Sequence, residues 1–200
     1  MKIFLRDKNR EIVDAWESVF WDNKDVNISC GDIFGIKADA IISPANSFGF
    51  MDGGIDFEYS KYFGWDLEKK LQEKIRKEYF GEIPVGTATI IKTDNEHIKY
   101  LISAPTMRIP DIVSHTVNAY LAFRASLIEV LKFNSANDKK ISSILCPGLC
   151  TYVGQMPAKV CAVQMKNAYD AIVKKNIPFP SNLEEAYSRH QYLNKNKKLL

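Results

Sequence analysis

Residues 31–56, GDIFGIKADAIISPANSFGFMDGGID, constrain this chain more than any other segment. They read as a buried strand, a Pro-Ala-Asn turn, a glycine-rich loop and the start of a helix. Open α/β sheets bind ligands at the carboxyl ends of their strands, so this order places backbone N–H groups and Asn46 at a binding edge. A glycine loop that enters a helix is an anion site, because unpaired N–H groups and the helix dipole face the ligand. The segment therefore predicts a ligand that carries phosphate.

Composition favours one globular α/β domain. The chain has 200 residues, of which 46% are hydrophobic and 26% charged. A net charge of +3 is too small for the basic patch of a nucleic-acid-binding protein. The sequence has neither an apolar run of ~18–20 residues nor a signal-peptide core, so we expect no membrane span and a cytoplasmic location. The four cysteines form no CxxC pair, which favours reduced thiols over a zinc or disulfide framework.

Strand-like and helix-like segments alternate along the chain. Apolar, β-branched runs predict strands at 2–6, 26–30, 38–43, 87–92, 100–104 and 141–146. Apolar residues at helical spacing predict helices at 10–20, 55–63, 66–79, 114–133, 156–175 and 183–194. This alternation, without an internal repeat or linker, predicts a single layered α/β/α domain over residues 1–200. We expect the lysine- and asparagine-rich tail at 194–200 to fray.

Four sequence blocks carry a resemblance to a known family. They are Gly-Asp-Ile at 31–33 with Pro-Ala-Asn at 44–46, Gly-Gly-Ile-Asp at 53–56, PGLCTYVG at 147–154, and the weaker Pro-Val-Gly at 84–86. In this order, each beside the expected strand or helix, they resemble the macrodomains, which are ADP-ribose-binding modules. The resemblance covers residues 27–171. It implies a three-layer α/β/α macrodomain-like fold, with a mixed, largely parallel central sheet and a cleft at the strand ends.

The resemblance also implies ligand contacts at both ends of ADP-ribose. The Asp32 carboxylate would accept a hydrogen bond from the adenine amino group, helped by the Ile33 N–H. The Asn46 amide would face the hydroxyls of the distal ribose, since it offers both a donor and an acceptor. Local roles stay open for both side chains: Asp32 as a turn cap and Asn46 as an Asx-turn residue.

Two glycine loops would form a cradle for the pyrophosphate. Gly53, Gly54 and Ile55 would supply one wall, where the absence of Cβ atoms at the two glycines lets the backbone approach a phosphate. The facing wall would come from the second loop, namely Gly148, Thr151, Tyr152, Val153 and Gly154. Because both loops contain little positive charge, the cradle would depend on backbone dipoles. The alternative is that these glycines are simply flexible loop residues.

The second loop departs from the family pattern. Many members have a small residue where Cys150 stands and a glycine-rich stretch where this chain has Cys150-Thr151-Tyr152. An aromatic residue often precedes the last glycine of the loop, and here that residue is Val153. These differences all fall beside the expected distal ribose.

Asp56 carries the hypothesis of enzymatic activity. In hydrolytic macrodomains an Asp after the loop glycines helps to orient or activate water, whereas the local alternative for Asp56 is a helix N-cap. Candidate substrates are ADP-ribose linked to a protein or a base, O-acyl-ADP-ribose and ADP-ribose 1″-phosphate. The alternative function is a non-catalytic reader of ADP-ribose or a related nucleotide signal. The sequence gives no reason to expect a metal or organic cofactor, and a nucleic-acid partner is disfavoured.

Overall fold

The computed structural model describes residues 1–177 and 179–195. The strands are β1 (Lys2–Asp7), β2 (Val26–Cys30), β3 (Ala40–Ser43), β4 (Thr89–Lys92), β5 (Tyr100–Ser103) and β6 (Ser143–Cys146). The α-helices are α1 (Arg10–Phe20), α2 (Gly54–Phe63), α3 (Asp66–Tyr79), α4 (Asn118–Ala136), α5 (Ala158–Ile172) and α6 (Leu183–Lys195). A short 3₁₀ turn, Ile33–Gly35, follows β2.

All six strands join one sheet in the order β2-β1-β6-β3-β5-β4. Each neighbouring pair is parallel except β4 and β5, which pair antiparallel at one edge. Antiparallel edge strands on parallel sheets are common in α/β folds. The predicted mixed, largely parallel sheet is therefore confirmed.

Two apolar clusters lie on opposite faces of the sheet. Successive strand residues point to opposite faces, so in β3 Ile42 joins one cluster and Ile41 the other. The larger cluster packs α1, α4 and α5 against the sheet, and the smaller one packs α2 and α3. The predicted three-layer α/β/α fold is confirmed.

The helix before the last strand begins later than its apolar pattern predicts. We expected a helix from residue 114, whereas α4 begins at Asn118. The Thr116 hydroxyl donates to Val113 O at 2.8 Å and accepts from Asn118 N–H at 3.2 Å, which stabilises a turn ahead of the helix. The apolar residues of this turn therefore belong to the loop after β5.

The five parallel strands end at the same edge of the sheet, because their directions agree. The loops that leave this edge are those after β1, β2, β3, β5 and β6. The fold thus brings the glycine-rich segments at 44–53 and 147–157 to one side of the molecule, as expected for a ligand cleft.

The carboxyl-terminal part packs on α5. Gln164 Nε2 donates to Leu193 O of α6 at 3.1 Å. Of the tail predicted to fray, Asn194 and Lys195 are the last residues of α6, and residues 196–200 lie outside the described residues. Within the described ranges, no helix has both the length and the apolar character needed to cross a membrane.

Candidate binding cleft

Asn46 organises the loop after β3, which we call the first loop (residues 44–53). Its Oδ1 accepts from the N–H groups of Phe48 and Phe50 at 3.1 and 3.2 Å, and its Nδ2 donates to Phe50 O at 2.8 Å. These bonds occupy both oxygen lone pairs and one of the two amide hydrogens. Asn46 therefore acts here as an Asx-turn residue, with one N–H left over.

The first loop is fastened to the helices beneath it. Met51 N–H donates to Glu68 Oε2 of α3 at 2.6 Å, and Ser60 Oγ of α2 donates to Met51 O at 2.9 Å. Gly49 has φ of +71°, and a Cβ there would lie 2.8 Å from Ile75 Cδ1. Only glycine combines that backbone conformation with so close an approach to α3.

The junction between the first loop and α2 presents free backbone donors. Gly53 occupies the N-cap position of α2 and has no side chain to cap it. The N–H groups of residues 52–56 find no acceptor within residues 1–177 and 179–195. The first N–H groups of a helix have no intrahelical partner, and together with the helix dipole they attract anions. The N–H groups of Gly53, Gly54 and Ile55 are among these donors, and their role as one wall of a phosphate site stays a prediction.

Asp56 lies inside the molecule, in the first turn of α2. Only 7% of its surface is exposed, and its Oδ1 accepts from Ser43 Oγ, at the end of β3, at 2.5 Å. The side chain therefore points at the sheet and does not cap the helix. Burial raises the pKa of Asp56 to about 7, although the Ser43 hydroxyl stabilises the ionised form. A carboxyl group with a pKa near neutrality is suited to accept a proton.

The loop after β6, which we call the second loop (residues 147–157), is held at its start by Asp7 of β1. Gly148 N–H donates to Asp7 Oδ2 at 2.9 Å, so this N–H is not free for a ligand. Two non-glycine residues then adopt left-handed backbone conformations, Cys150 with φ of +63° and Gln155 with φ of +50°. Such conformations are uncommon for residues other than Gly, Asn and Asp.

The middle of the second loop also carries free donors. Within the part of the chain that the structure describes, the N–H groups of residues 150–154 have no acceptor. Tyr152 is 85% exposed and Val153 is also exposed, so neither packs into the core. At Gly154 a Cβ would lie 2.6 Å from both Cys150 O and Val113 Cγ2, so a side chain does not fit there.

The loop after β5 (residues 104–117) joins the other two loops. Thr106 Oγ1 donates to Pro44 O of the first loop at 3.0 Å and also lies within hydrogen-bonding reach of the Cys150 thiol. Val113 N–H donates to Gly154 O of the second loop at 2.9 Å. The two loops with free N–H groups are therefore neighbours, one on each side of this connection.

Asp32 and Ile33 follow β2, which is an outer strand of the sheet. They therefore lie at the opposite end of the row of parallel strands from β5. Asp32 Oδ1 accepts from Phe34 N–H at 3.0 Å, which caps the 3₁₀ turn, and Oδ2 pairs with Lys8 Nζ at 2.9 Å. The Lys8 ammonium, followed by the Phe34 N–H, lowers the pKa of Asp32. The carboxylate is 56% exposed and therefore accessible to a ligand, while Ile33 is buried.

The two loops that form this cleft fall within the match to a known protein family. The family model described as Macro domain matches residues 42–165, which include the first loop, Asp56 and the second loop. This chain belongs to the macro domain family.

Proteins from several organisms are similar to this macro domain in sequence or in fold. An uncharacterized protein of Aquifex aeolicus is 32% identical over 141 residues, covering 70% of this chain and 78% of that protein. The solved macrodomain of Mycobacterium tuberculosis DarG matches with a TM-score of 0.59 and 17% identity, covering 71% of this chain and 88% of that one. A point mutant of the Oceanobacillus iheyensis macrodomain with ADPR matches with a TM-score of 0.54 and 21% identity, covering 74% and 90%. At these identities the structures show the fold.

Three of the four cysteines of this macro domain are buried and are not activated as nucleophiles. Cys146, Cys150 and Cys161 are buried free thiols, and burial raises the pKa of each. A nucleophilic cysteine needs a lowered pKa, so these side chains serve as packing residues. Among the described residues, no cluster of His, Cys, Asp or Glu is arranged to hold a metal ion.

Several residues that shape the cleft escaped prediction from the sequence. They are Ser43, which bonds Asp56, Glu68, which holds the first loop, Thr106, which links the loops, and Asp7, which holds the second loop. A polar residue at the carboxyl end of an apolar strand was the available signal for Ser43. Asp7 and Gly148 are 141 positions apart, so no local pattern connects them.

Proposed function

We propose that this macro domain binds ADP-ribose and hydrolyses an ADP-ribose derivative. The observation that carries the proposal is the buried Asp56 carboxyl group, which lies in the first turn of α2 beside the free N–H groups of residues 52–56. A burial-raised pKa of about 7 beside an anion-binding helix end fits a group that accepts a proton near a bound phosphate ester.

Binding would use both loops. The unpaired N–H groups of residues 52–56 and 150–154 supply donors for a pyrophosphate bound between the loops. The exposed carboxylate of Asp32, with Ile33 beside it, would take the adenine end. The solved macrodomain of Oceanobacillus iheyensis with ADPR shares this fold, which supports ADP-ribose as the ligand class.

Asp56 would act as the general base. In its ionised form it accepts a proton from a water molecule as the water oxygen forms a bond to the anomeric carbon of the distal ribose. The bond from that carbon to the leaving group breaks at the same time, and the leaving group departs with the bonding electron pair. General-base assistance of this kind contributes typically ~10²–10⁴-fold to the rate. Because the carboxyl group must be ionised, turnover rises with pH up to its pKa of about 7.

Turnover assays on the candidate substrates test the proposal. Wild-type protein is expected to release ADP-ribose from at least one of them, and Asp56→Ala to lower this turnover by ~10²-fold or more. Affinity for ADP-ribose should stay within a few fold, because Asp56 would act on water and not on the ligand body. The matched control is Asp52→Ala, which removes an exposed carboxylate near the end of the first loop. Equal turnover in Asp56→Ala and wild type would contradict the catalytic role.

A reader without catalytic activity is the second candidate. The observation in its favour is Asn46, whose amide is largely occupied by the first loop and offers a single N–H to a distal ribose. A reader would bind ADP-ribose in calorimetry and turn over none of the substrates. That combination of results would reject the hydrolase and retain the reader.

A further inference from the structure

The ends of β3 and β5 carry two serines that are equally buried and differently bonded. Ser43 and Ser103 are in register on neighbouring parallel strands, and both have 0% exposure. Ser43 Oγ donates to Asp56 Oδ1 at 2.5 Å. Ser103 Oγ has no hydrogen-bond partner within residues 1–177 and 179–195. Buried hydroxyl groups are usually paired. The two serines match in burial and register and differ in whether the hydroxyl has a partner, so Ser103 is a matched control for Ser43.

We propose that Ser43 is a positioning residue for Asp56, whose hydroxyl fixes the carboxyl group so that Oδ2 remains available to a water molecule in the cleft. The inference rests on the proposed hydrolytic function. Asp56 Oδ2 makes no hydrogen bond to a described residue, and 7% of the surface of Asp56 as a whole is exposed. One oxygen is thus held from the sheet side, and the other has no partner among the described residues.

The helix that carries Asp56 is anchored independently of Ser43. Tyr59 OH donates to Ile42 O at 3.1 Å, and Ser60 Oγ donates to Met51 O at 2.9 Å. Both bonds tie α2 to its neighbours within two turns of Asp56. Loss of the Ser43 hydroxyl therefore frees the carboxyl group to rotate and leaves the helix in place.

Burial and the Ser43 hydroxyl are the two influences that shift the pKa of Asp56, so loss of the hydroxyl has a measurable effect. Tyr59 of α2 is the nearby titratable group, and its pKa is raised by burial and further by the charge of Asp56. Cys146 of β6 and Asp7 of β1 act on Tyr59 in the same direction. The Ser43 hydroxyl donates to the ionised carboxylate and opposes the effect of burial on the Asp56 pKa.

Titration of Asp56 in the ligand-free protein tests this role without any substrate. The carboxyl carbon of Asp56, followed by ¹³C NMR, should titrate in wild type with a midpoint near neutral pH. Ser43→Ala should raise the midpoint by about one pH unit, because the bond that favours ionisation is gone. Ser103→Ala, which removes an unpaired hydroxyl of equal burial, should leave the midpoint unchanged. Ser43→Thr keeps a hydroxyl and should restore it.

Turnover gives the second measurement. In Ser43→Ala the rise of turnover with pH should move to higher pH with the NMR midpoint, which lowers the rate at acidic pH about tenfold for a one-unit shift. The same midpoint in Ser43→Ala, Ser103→Ala and wild type would overturn the positioning role. A wild-type protein that titrates as expected and turns over nothing would instead reject the hydrolytic function, and with it the role of Ser43 in catalysis.

Discussion

The junction of the first loop with α2 and the middle of the second loop each present a row of N–H groups that have no partner among the described residues, but the two loops are built differently. The first loop bends at Gly49 and is bonded from within by Asn46 and from below by Glu68. The second loop bends at Cys150 and Gln155, two non-glycine residues with positive φ, and exposes Tyr152. The first loop is thus rigidly supported and leads into the buried carboxyl group of Asp56. The second is strained and exposes side chains to solvent, so we expect it to adapt to the ligand.

The largest expected effect is on stability and comes from Asp56, in the helix that follows the first loop. Ionisation of this buried carboxyl group destabilises the folded protein. Its pKa is 3.8 when unperturbed and about 7 in the folded protein, so the unfolded chain loses its proton first as the pH rises. Stability should therefore fall between pH 4 and pH 7 and level off above. The difference between these two pKa values corresponds to an upper limit of about 4 kcal/mol in the free energy of unfolding.

Asp56→Asn removes this dependence, because the amide is neutral and its oxygen still accepts from Ser43. At pH 8 the variant should exceed wild type in free energy of unfolding by up to about 4 kcal/mol, and near pH 4 the two should be similar. Urea denaturation at the two pH values provides the measurement. An equal difference between the proteins at both pH values would mean that Asp56 is not a buried titrating group.

The next effect tests the rigid packing of the first loop. Gly49→Ala places a Cβ 2.8 Å from Ile75 Cδ1 in a backbone conformation with φ of +71°. Overpacking and the left-handed conformation together should cost about 2–3 kcal/mol of stability. Gly53→Ala is the control, since φ is negative there and no atom lies within 4 Å of the added Cβ. Equal unfolding midpoints for the two variants would show that the first loop moves to accommodate the added Cβ at position 49.

A smaller effect concerns Asp32, the residue proposed to contact adenine. Asp32→Ala should weaken ADP-ribose binding by about 1 kcal/mol, since the carboxylate is exposed and already paired with Lys8. The comparison ligand carries hypoxanthine, which lacks the six-amino donor. Its affinity should change little. Calorimetry on both ligands separates an adenine contact from a turn cap, for which both affinities would fall together.

The smallest effect tests strain in the second loop. Gln155 is exposed and has φ of +50°, so Gln155→Gly should stabilise the protein by about 0.5–1 kcal/mol. Gln155→Ala keeps the strain and serves as the control. Thermal unfolding of the three proteins measures the difference. A glycine variant less stable than the alanine variant would show that the loop is not strained at this position.

The sequence predicted the fold and the composition of both loops, because periodicity and glycine blocks are local signals. The α/β/α layers and the mixed sheet are confirmed, and α1 and α3 have the predicted bounds. The hydrogen bonds within the site could not be predicted from the sequence. Whether Asn46 faces a ligand or its own loop depends on the path of residues 47–50. The contact between Asp56 and Ser43 depends on how α2 lies against β3. The N-cap alternative for Asp56 is wrong, since its side chain points inward.

Calorimetric titration with ADP-ribose and with adenosine monophosphate tests the two-loop cleft most directly. If both loops bind the pyrophosphate, loss of one phosphate and the distal ribose removes several charge-assisted contacts at ~1.5–3 kcal/mol each. ADP-ribose should then bind at least about 100-fold more tightly than the monophosphate. Equal affinity for the two ligands would contradict a cleft in which both loops take part.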